Sequence, residues 1–136
     1  MKATMLLVLL STAQAAEPTG TLTLACQGTA TDKTHLVEAA RPEPISMGLI
    51  IDFTTKTVAG FERVFPTFTG TVKIIIVDNT SIGFSGTDEG GGAVFGTVDR
   101  ITGDVEAATE YWNHGTNKLQ WATVYSMQCK PTQRMF

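Results

Sequence analysis

The two histidines are the first residues to consider for chemistry, because imidazole titrates closest to physiological pH. His35 lies in a polar stretch with Asp32 and Glu38, and His114 follows an aromatic pair. A general base needs a partner within hydrogen-bond reach and a site that excludes water. The surrounding sequence offers neither histidine such an arrangement. We therefore interpret both as solvated loop residues.

Serine and aspartate give no stronger indication of catalysis. The chain has no G-x-S-x-G sequence, which is the strained turn that exposes a serine nucleophile in hydrolases. Asp99 and Asp104 flank a turn, and they resemble a carboxylate pair only at first sight. Asp99 is more simply explained as a partner of Arg100 or of backbone N–H groups. The sequence thus indicates a protein that is not an enzyme, with no catalytic residue.

Phosphate and metal sites are not indicated either. The run Gly90-Gly91-Gly92 would need a following helix to cradle a phosphate, and a strand is predicted there instead. A structural zinc site needs about four ligands. The two cysteines and two histidines are widely scattered, so we expect no metal and no cofactor.

Aromatic residues are better candidates for binding. Trp121 and Tyr125 share one face of a predicted strand, where they would be core residues or, in a wider barrel, would line a ligand cavity. Tyr111 and Trp112 stand at a loop mouth beside His114. These three residues would form an exposed binding patch.

Three phenylalanines surround Pro66 in an irregular stretch, namely Phe61, Phe65 and Phe68. Their spacing fits neither a strand nor a helix. They would either plug one end of the fold or contact a partner.

The elements that position these residues are predicted to be strands. Apolar alternation recurs about every ten residues between Gly, Asn and Asp signals, which is typical of strands joined by turns. The predicted strands cover 21–26, 45–54, 57–61, 71–77, 80–85, 93–99, 104–111 and 119–129. We expect a mobile loop over 28–44 and further loops over 86–92 and 112–118. Apolar residues on both faces of 71–77 indicate either a strand covered on both sides or an outward patch.

Eight strands with short connections favour an all-β antiparallel meander that closes into a small barrel, because closure removes exposed edges. Cys26 and Cys129 lie at the ends of the first and last predicted strands, on faces assigned inward. Two cysteines in a small exported domain usually pair, and this disulfide would hold the first strand to the last. The alternatives are two free thiols and an open sandwich.

The first fifteen residues have the three parts of a secretory signal: a basic start, an apolar core and a small-residue exit at Ala13-Gln14-Ala15. The apolar run Met5–Leu10 is much shorter than the roughly 20 residues that span a bilayer, so a transmembrane segment is not expected. The sequence predicts a signal peptide over 1–15 and a single domain over 16–136. The compartment would be periplasmic or extracellular.

Charge limits the class of partner. The formal net charge is −3, and no cluster of Lys and Arg is present to bind nucleic acid. Together with the lack of a catalytic arrangement, this favours a non-enzymatic binding module for an envelope protein or component. A carrier of a small apolar ligand in the barrel interior is the alternative.

Two segments carry a resemblance. The turn Asp99-Arg100-Ile101-Thr102-Gly103 and the ending from Cys129 to Phe136 resemble those of small exported bacterial proteins of unknown function, which share a D-R-x-T-G turn and a C-x-P-x-Q-R-M-F tail. The likeness covers most of the mature chain, and it implies a periplasmic protein without assigning an activity. The overall plan is more loosely similar to the disulfide-tied barrels that inhibit lysozyme. Their inhibitory loop has no clear match here.

Overall fold

Eight antiparallel strands close into a barrel in the computed structural model, which describes residues 18–33 and 41–132. Each strand pairs with the next along the chain, and the last pairs with the first. The strands are β1 (Thr21–Asp32), β2 (Glu43–Asp52), β3 (Thr57–Ala59), β4 (Lys73–Val77), β5 (Ser81–Thr87), β6 (Gly92–Asp99), β7 (Asp104–Asn113) and β8 (Lys118–Pro131). The predicted all-β meander, its closure and its one disulfide are confirmed.

Side-chain alternation explains which face of each strand forms the core. In β2, Met47, Leu49 and Ile51 are buried, while the residues between them are exposed. The same period of two places Val105 and Ala107 of β7 inside the barrel, because successive side chains of a strand point to opposite faces. The inward residues form a single apolar core.

The barrel closes between β1 and β8. Cys26 and Cys129 are direct partners in this antiparallel pair, and their Cα atoms are 4.0 Å apart within a disulfide. Both cysteines are buried. The predicted pairing is confirmed, and the open sandwich and the free thiols are excluded.

The loop predicted over 28–44 is shorter than expected. β1 continues to Asp32 and β2 begins at Glu43, while residues 34–40, with His35, lie outside the described residues. The prediction was wrong at both ends because it relied on polarity. Thr29 and Thr31 are β-branched residues that suit strands, and both are paired with residues of β8.

The segment between β3 and β4, residues 60–70, leaves the sheet and crosses the barrel; we call it the plug. β3 ends at Ala59, not at Phe61 as predicted, because Gly60 has a φ of 126° that breaks the strand. Phe61 then lies in a short 3₁₀ helix, where its ring centroid is 5.5 Å from that of Phe84 and 6.4 Å from that of Tyr125. Phe61 and Phe65 are buried, as the predicted plug requires, and contact of the phenylalanines with a partner stays a prediction.

The seam between β3 and β4 is short, with backbone hydrogen bonds from Val58 N–H to the Val72 oxygen and from Ile74 N–H to the Lys56 oxygen, each 2.9 Å. The two strands pair at one register position, Thr57 with Lys73, and β4 contains a register shift between Ile74 and Ile76. Ile75 is 67% exposed and Ile76 57% exposed. Of the two interpretations of this strand, the outward apolar patch is therefore the correct one.

The predicted signal peptide over 1–15 lies outside the described residues. Within 18–33 and 41–132, no helix is long and apolar enough to cross a membrane.

Candidate functional site

The site begins with an aromatic pair at one end of the barrel. Tyr111 in β7 and Trp121 in β8 are direct partners across the two strands. Their ring centroids are 6.4 Å apart and their planes differ by 20°, so the rings are stacked. Directly opposite residues of an antiparallel pair are the closest side-chain neighbours in a sheet. Tyr111 is 38% exposed, and the pair is therefore accessible from outside.

The plug adds a third ring. The centroid of Phe65 lies 4.8 Å from that of Trp121, at 60° between the planes, which is an edge-to-face contact. Phe65 is itself buried and packs against Phe68 at 5.4 Å. Such tilted pairs are favoured by the ring quadrupoles. Trp121 is thus held by the core on one side of the site and by Tyr111 on the other.

A carboxylate completes the arrangement. Asp88, in the loop between β5 and β6, accepts hydrogen bonds from the backbone N–H of Gly92 at 2.6 Å and of Thr69 at 3.1 Å. Burial acts to raise the pKa of this carboxyl, but the backbone N–H groups outweigh it and hold the pKa below the ordinary value of 3.8. Asp88 is therefore ionised at neutral pH, with a fixed orientation.

These groups surround an open pocket of about 390 Å³. Its lining residues are Phe65, Thr67, Asp88, Gly90, Tyr111 and Trp121. We call this pocket the aromatic mouth. Trp121 was predicted from strand periodicity, and Tyr111 from its place at a loop mouth. Asp88 was missed as a site residue, and Phe65 was predicted only as part of a plug or a partner contact, because the three-dimensional path of the plug and of the 88–92 loop brings them to this pocket.

Tyr125 does not belong to the aromatic mouth. It is 3% exposed, and its hydroxyl is 3.1 Å from the hydroxyl of Thr109 in a buried hydrogen bond. Burial raises its pKa, although the hydrogen bonds of Thr109 and Thr123 act the other way. Of the two roles predicted for Tyr125, core residue and cavity wall, the structure shows the core residue.

The predicted patch of Tyr111, Trp112 and His114 is divided. The pairing of β7 with β8 shifts register between Tyr111 and Trp112. Trp112 instead donates a hydrogen bond from its Nε1–H to the carboxylate of Glu110, at 2.8 Å. His114 lies in the exposed turn after β7. Neither Trp112 nor His114 lines the aromatic mouth.

The other carboxylates considered for chemistry serve turns. Asp99 accepts hydrogen bonds from the backbone N–H groups of Ile101 at 2.8 Å and Thr102 at 3.0 Å, and these bonds lower its pKa. The arginine of the same turn, Arg100, donates to the backbone oxygen of Asp78. Asp99 therefore acts as the backbone partner that the sequence suggested.

Two further features of the surface bear on the choice of site. Across residues 18–33 and 41–132, no three His, Cys, Asp or Glu side chains are grouped so that they could hold a metal ion. A groove of about 1040 Å³ runs along β1 and β2, with Gln27, Gln128 and Lys130 among its lining residues. It contains no aromatic ring, whereas the aromatic mouth concentrates three rings and an ionised carboxylate.

The chain was compared with known proteins. No protein-family model matches it, and no curated protein matches its sequence.

Proposed function

We propose that the protein is an exported, non-enzymatic binding module that engages an envelope protein or component through the aromatic mouth. The observation that carries this proposal is the junction of three aromatic rings from separate parts of the chain around one open pocket. Aromatic side chains supply most of the binding energy at many interfaces, particularly where they are held rigidly. Trp121 meets that condition because Phe65 packs against it from the core.

Export is supported by the disulfide as well as by the first fifteen residues. Disulfides persist in oxidising compartments such as the periplasm and the extracellular space. The Cys26–Cys129 bond is consistent with a chain that folds after secretion. The resemblance of the tail to small exported bacterial proteins points in the same direction.

A carrier function in the barrel interior has less support. The ring centroid of Phe61 lies 5.5 Å from that of Phe84 and 6.4 Å from that of Tyr125. All three are buried in the same core. Their rings fill the part of the interior that an apolar ligand would have to occupy.

The proposal is tested with the mature chain immobilised and exposed to an envelope extract. Trp121→Ala removes the central ring, and we expect the retained component to fall by about tenfold or more, since truncating an anchor residue costs 2 kcal/mol or more of binding. Quantitative mass spectrometry of the eluate measures the difference between the wild-type and variant proteins.

Leu119→Ala is the matched control, because Leu119 is an exposed apolar residue of the same strand that does not line the pocket. It should retain as much of the component as the wild-type protein does. Equal retention by Trp121→Ala and the wild-type protein would overturn the proposal. A folded state of each variant is verified by circular dichroism.

A further inference from the structure

We propose that the aromatic mouth recognises an organic ammonium group, so that the partner of this module presents a cation to Trp121, Tyr111 and Asp88. The inference rests on the proposed function and specifies its ligand chemistry. It follows from three properties of the pocket: the aromatic faces, the negative charge and the way in which the carboxylate is already hydrogen-bonded.

The aromatic faces come first. The face of a tryptophan or tyrosine ring attracts a cation through its quadrupole, and tryptophan does so most strongly. Trp121 and Tyr111 stand as a stacked pair beside the opening. Phe65 contributes a third ring to the lining. Aromatic side chains that line a pocket are the usual means by which proteins bind alkylated ammonium groups.

The negative charge comes from Asp88. Burial raises the pKa of this carboxyl, but the backbone N–H groups of Thr69, Gly92, Gly90 and Gly91 lower it by more, so the pKa lies below its ordinary value and Asp88 is ionised. A cation entering the pocket would be attracted both by this carboxylate and by the rings.

The hydrogen bonds of Asp88 distinguish a cation from a neutral polar ligand such as a sugar. A carboxylate has about four lone-pair sites. Here Thr69 and Gly92 occupy two of them at 3.1 and 2.6 Å, and the N–H groups of Gly90 and Gly91 also contribute. Little acceptor capacity is left for hydroxyl donors. Electrostatic attraction to a quaternary ammonium, which has no N–H donor, needs no free lone pair, so the pocket favours an alkylated cation over hydroxyl donors.

Two sources carry this chemistry, a free quaternary amine and a lysine side chain of a protein. The test uses one probe pair for each. Choline is compared with 3,3-dimethyl-1-butanol, its uncharged isostere, and Nα-acetyl-lysine amide is compared with Nα-acetyl-norleucine amide. Binding is followed by the NMR shift of the Trp121 indole N–H, which the Trp112→Phe variant isolates because the chain has only two tryptophans.

We expect at least one charged probe to bind about fivefold or more tightly than its neutral partner. The stronger of the two charged probes identifies the source. Equal binding of both members in each pair, or no shift with any probe, would overturn the inference.

Asp88→Asn removes the charge and should weaken binding of the charged probe by about fivefold. Glu89→Gln is its control, because Glu89 is the exposed neighbouring carboxylate outside the lining of the aromatic mouth. If both variants lost the same affinity for the charged probe, the negative charge would be acting from a distance and not within this pocket, and the assignment of the site would be contradicted.

Asp88 also anchors its loop, so a second variant avoids a folding artefact. Tyr111→Leu keeps an apolar side chain at an exposed position but removes the aromatic face. It should lower the affinity for the charged probe by about two- to fivefold. An unchanged affinity would rule out the cation–π contact.

The outcomes separate this inference from the proposed function. If the ammonium probes do not bind while Trp121→Ala still fails to retain the envelope component, the proposed ligand class is wrong and the proposal of a binding module is kept. If the probes bind as expected while the envelope component is retained by Trp121→Ala, the binding-module proposal fails instead.

Discussion

The barrel has two contrasting seams. Between β1 and β8 the pairing runs from Leu24–Pro131 to Asp32–Thr123, and a disulfide joins the strands within it. Between β3 and β4 the register contains only the pair Thr57–Lys73. An unpaired strand edge is a general liability of β proteins. One seam of this barrel is therefore long and covalently closed. The other, which we call the open seam, is short and has no crosslink, although backbone hydrogen bonds from Val58 N–H to the Val72 oxygen and from Ile74 N–H to the Lys56 oxygen cross it.

The plug lies between β3 and β4, the two strands of the open seam. The chain leaves the sheet after Ala59, crosses the barrel as the plug and returns at Lys73. On the way Phe61 contacts Tyr125 and Phe65 contacts Trp121, and both partners belong to β8 on the well-paired side. Sheet pairing that is given up at one seam is thus replaced by aromatic packing across the interior. That packing also forms one wall of the aromatic mouth.

The largest expected effect is on the closed seam. Replacing both cysteines by alanine removes a crosslink between residues 103 positions apart. In the chain-entropy model, a loop of about this size is worth about 4–5 kcal/mol of unfolding free energy. Urea unfolding followed by tryptophan fluorescence should show a loss of up to that amount.

The wild-type protein under reducing conditions is the control for this variant, because it loses the crosslink without losing the side chains. Both forms should unfold at a similarly low urea concentration. An unchanged midpoint in the two forms would mean that strand pairing alone closes this seam, and the contrast between the seams would disappear.

The next effect concerns the plug. Phe61 is buried between Phe84 and Tyr125, and Phe61→Ala should reduce the free energy of unfolding by about 3–5 kcal/mol, as expected for truncation of a core phenylalanine. The same urea titration measures it. This loss would show that the open seam depends on packing as the closed seam depends on its disulfide.

Phe95→Ala is the matched control for the plug, since Phe95 is an exposed phenylalanine of β6. It should change the free energy of unfolding by less than about 0.5 kcal/mol. Similar losses in the two variants would contradict the role that we assign to the plug.

The two seams also show what the sequence could predict. The closed seam was predictable, because strand periodicity placed Cys26 and Cys129 on inward faces at the ends of the first and last strands. Inward alternation in β8 likewise identified Trp121 and Tyr125 as members of one face, and both are directed toward the barrel interior or its end. The alternation of apolar residues and the number of cysteines can both be seen in the sequence without knowing the path of the chain in three dimensions.

The open seam and the complete site were not predictable in the same way. Nothing in the sequence near Phe65 indicates that its ring meets Trp121, which lies 56 positions later in the chain. The contact depends on the positive φ of Gly60 and on the path of the plug. The separation of Trp112 from Tyr111 likewise results from a register shift in the β7–β8 pair, which simple alternation does not foresee.

The smallest expected effect tests whether the face of β4 is free in solution. Ile76 is 57% exposed and Ile82, in the neighbouring strand, is 1% exposed, so the same change to valine compares the outside of the sheet with its inside. Ile82→Val should cost about 1 kcal/mol of unfolding free energy, whereas Ile76→Val should be indistinguishable from the wild-type protein. Denaturant titrations at low and high protein concentration measure both. A cost for Ile76→Val that approaches that of Ile82→Val, and that grows with concentration, would mean that β4 is covered by another molecule, because only burial makes the loss of one methylene group expensive.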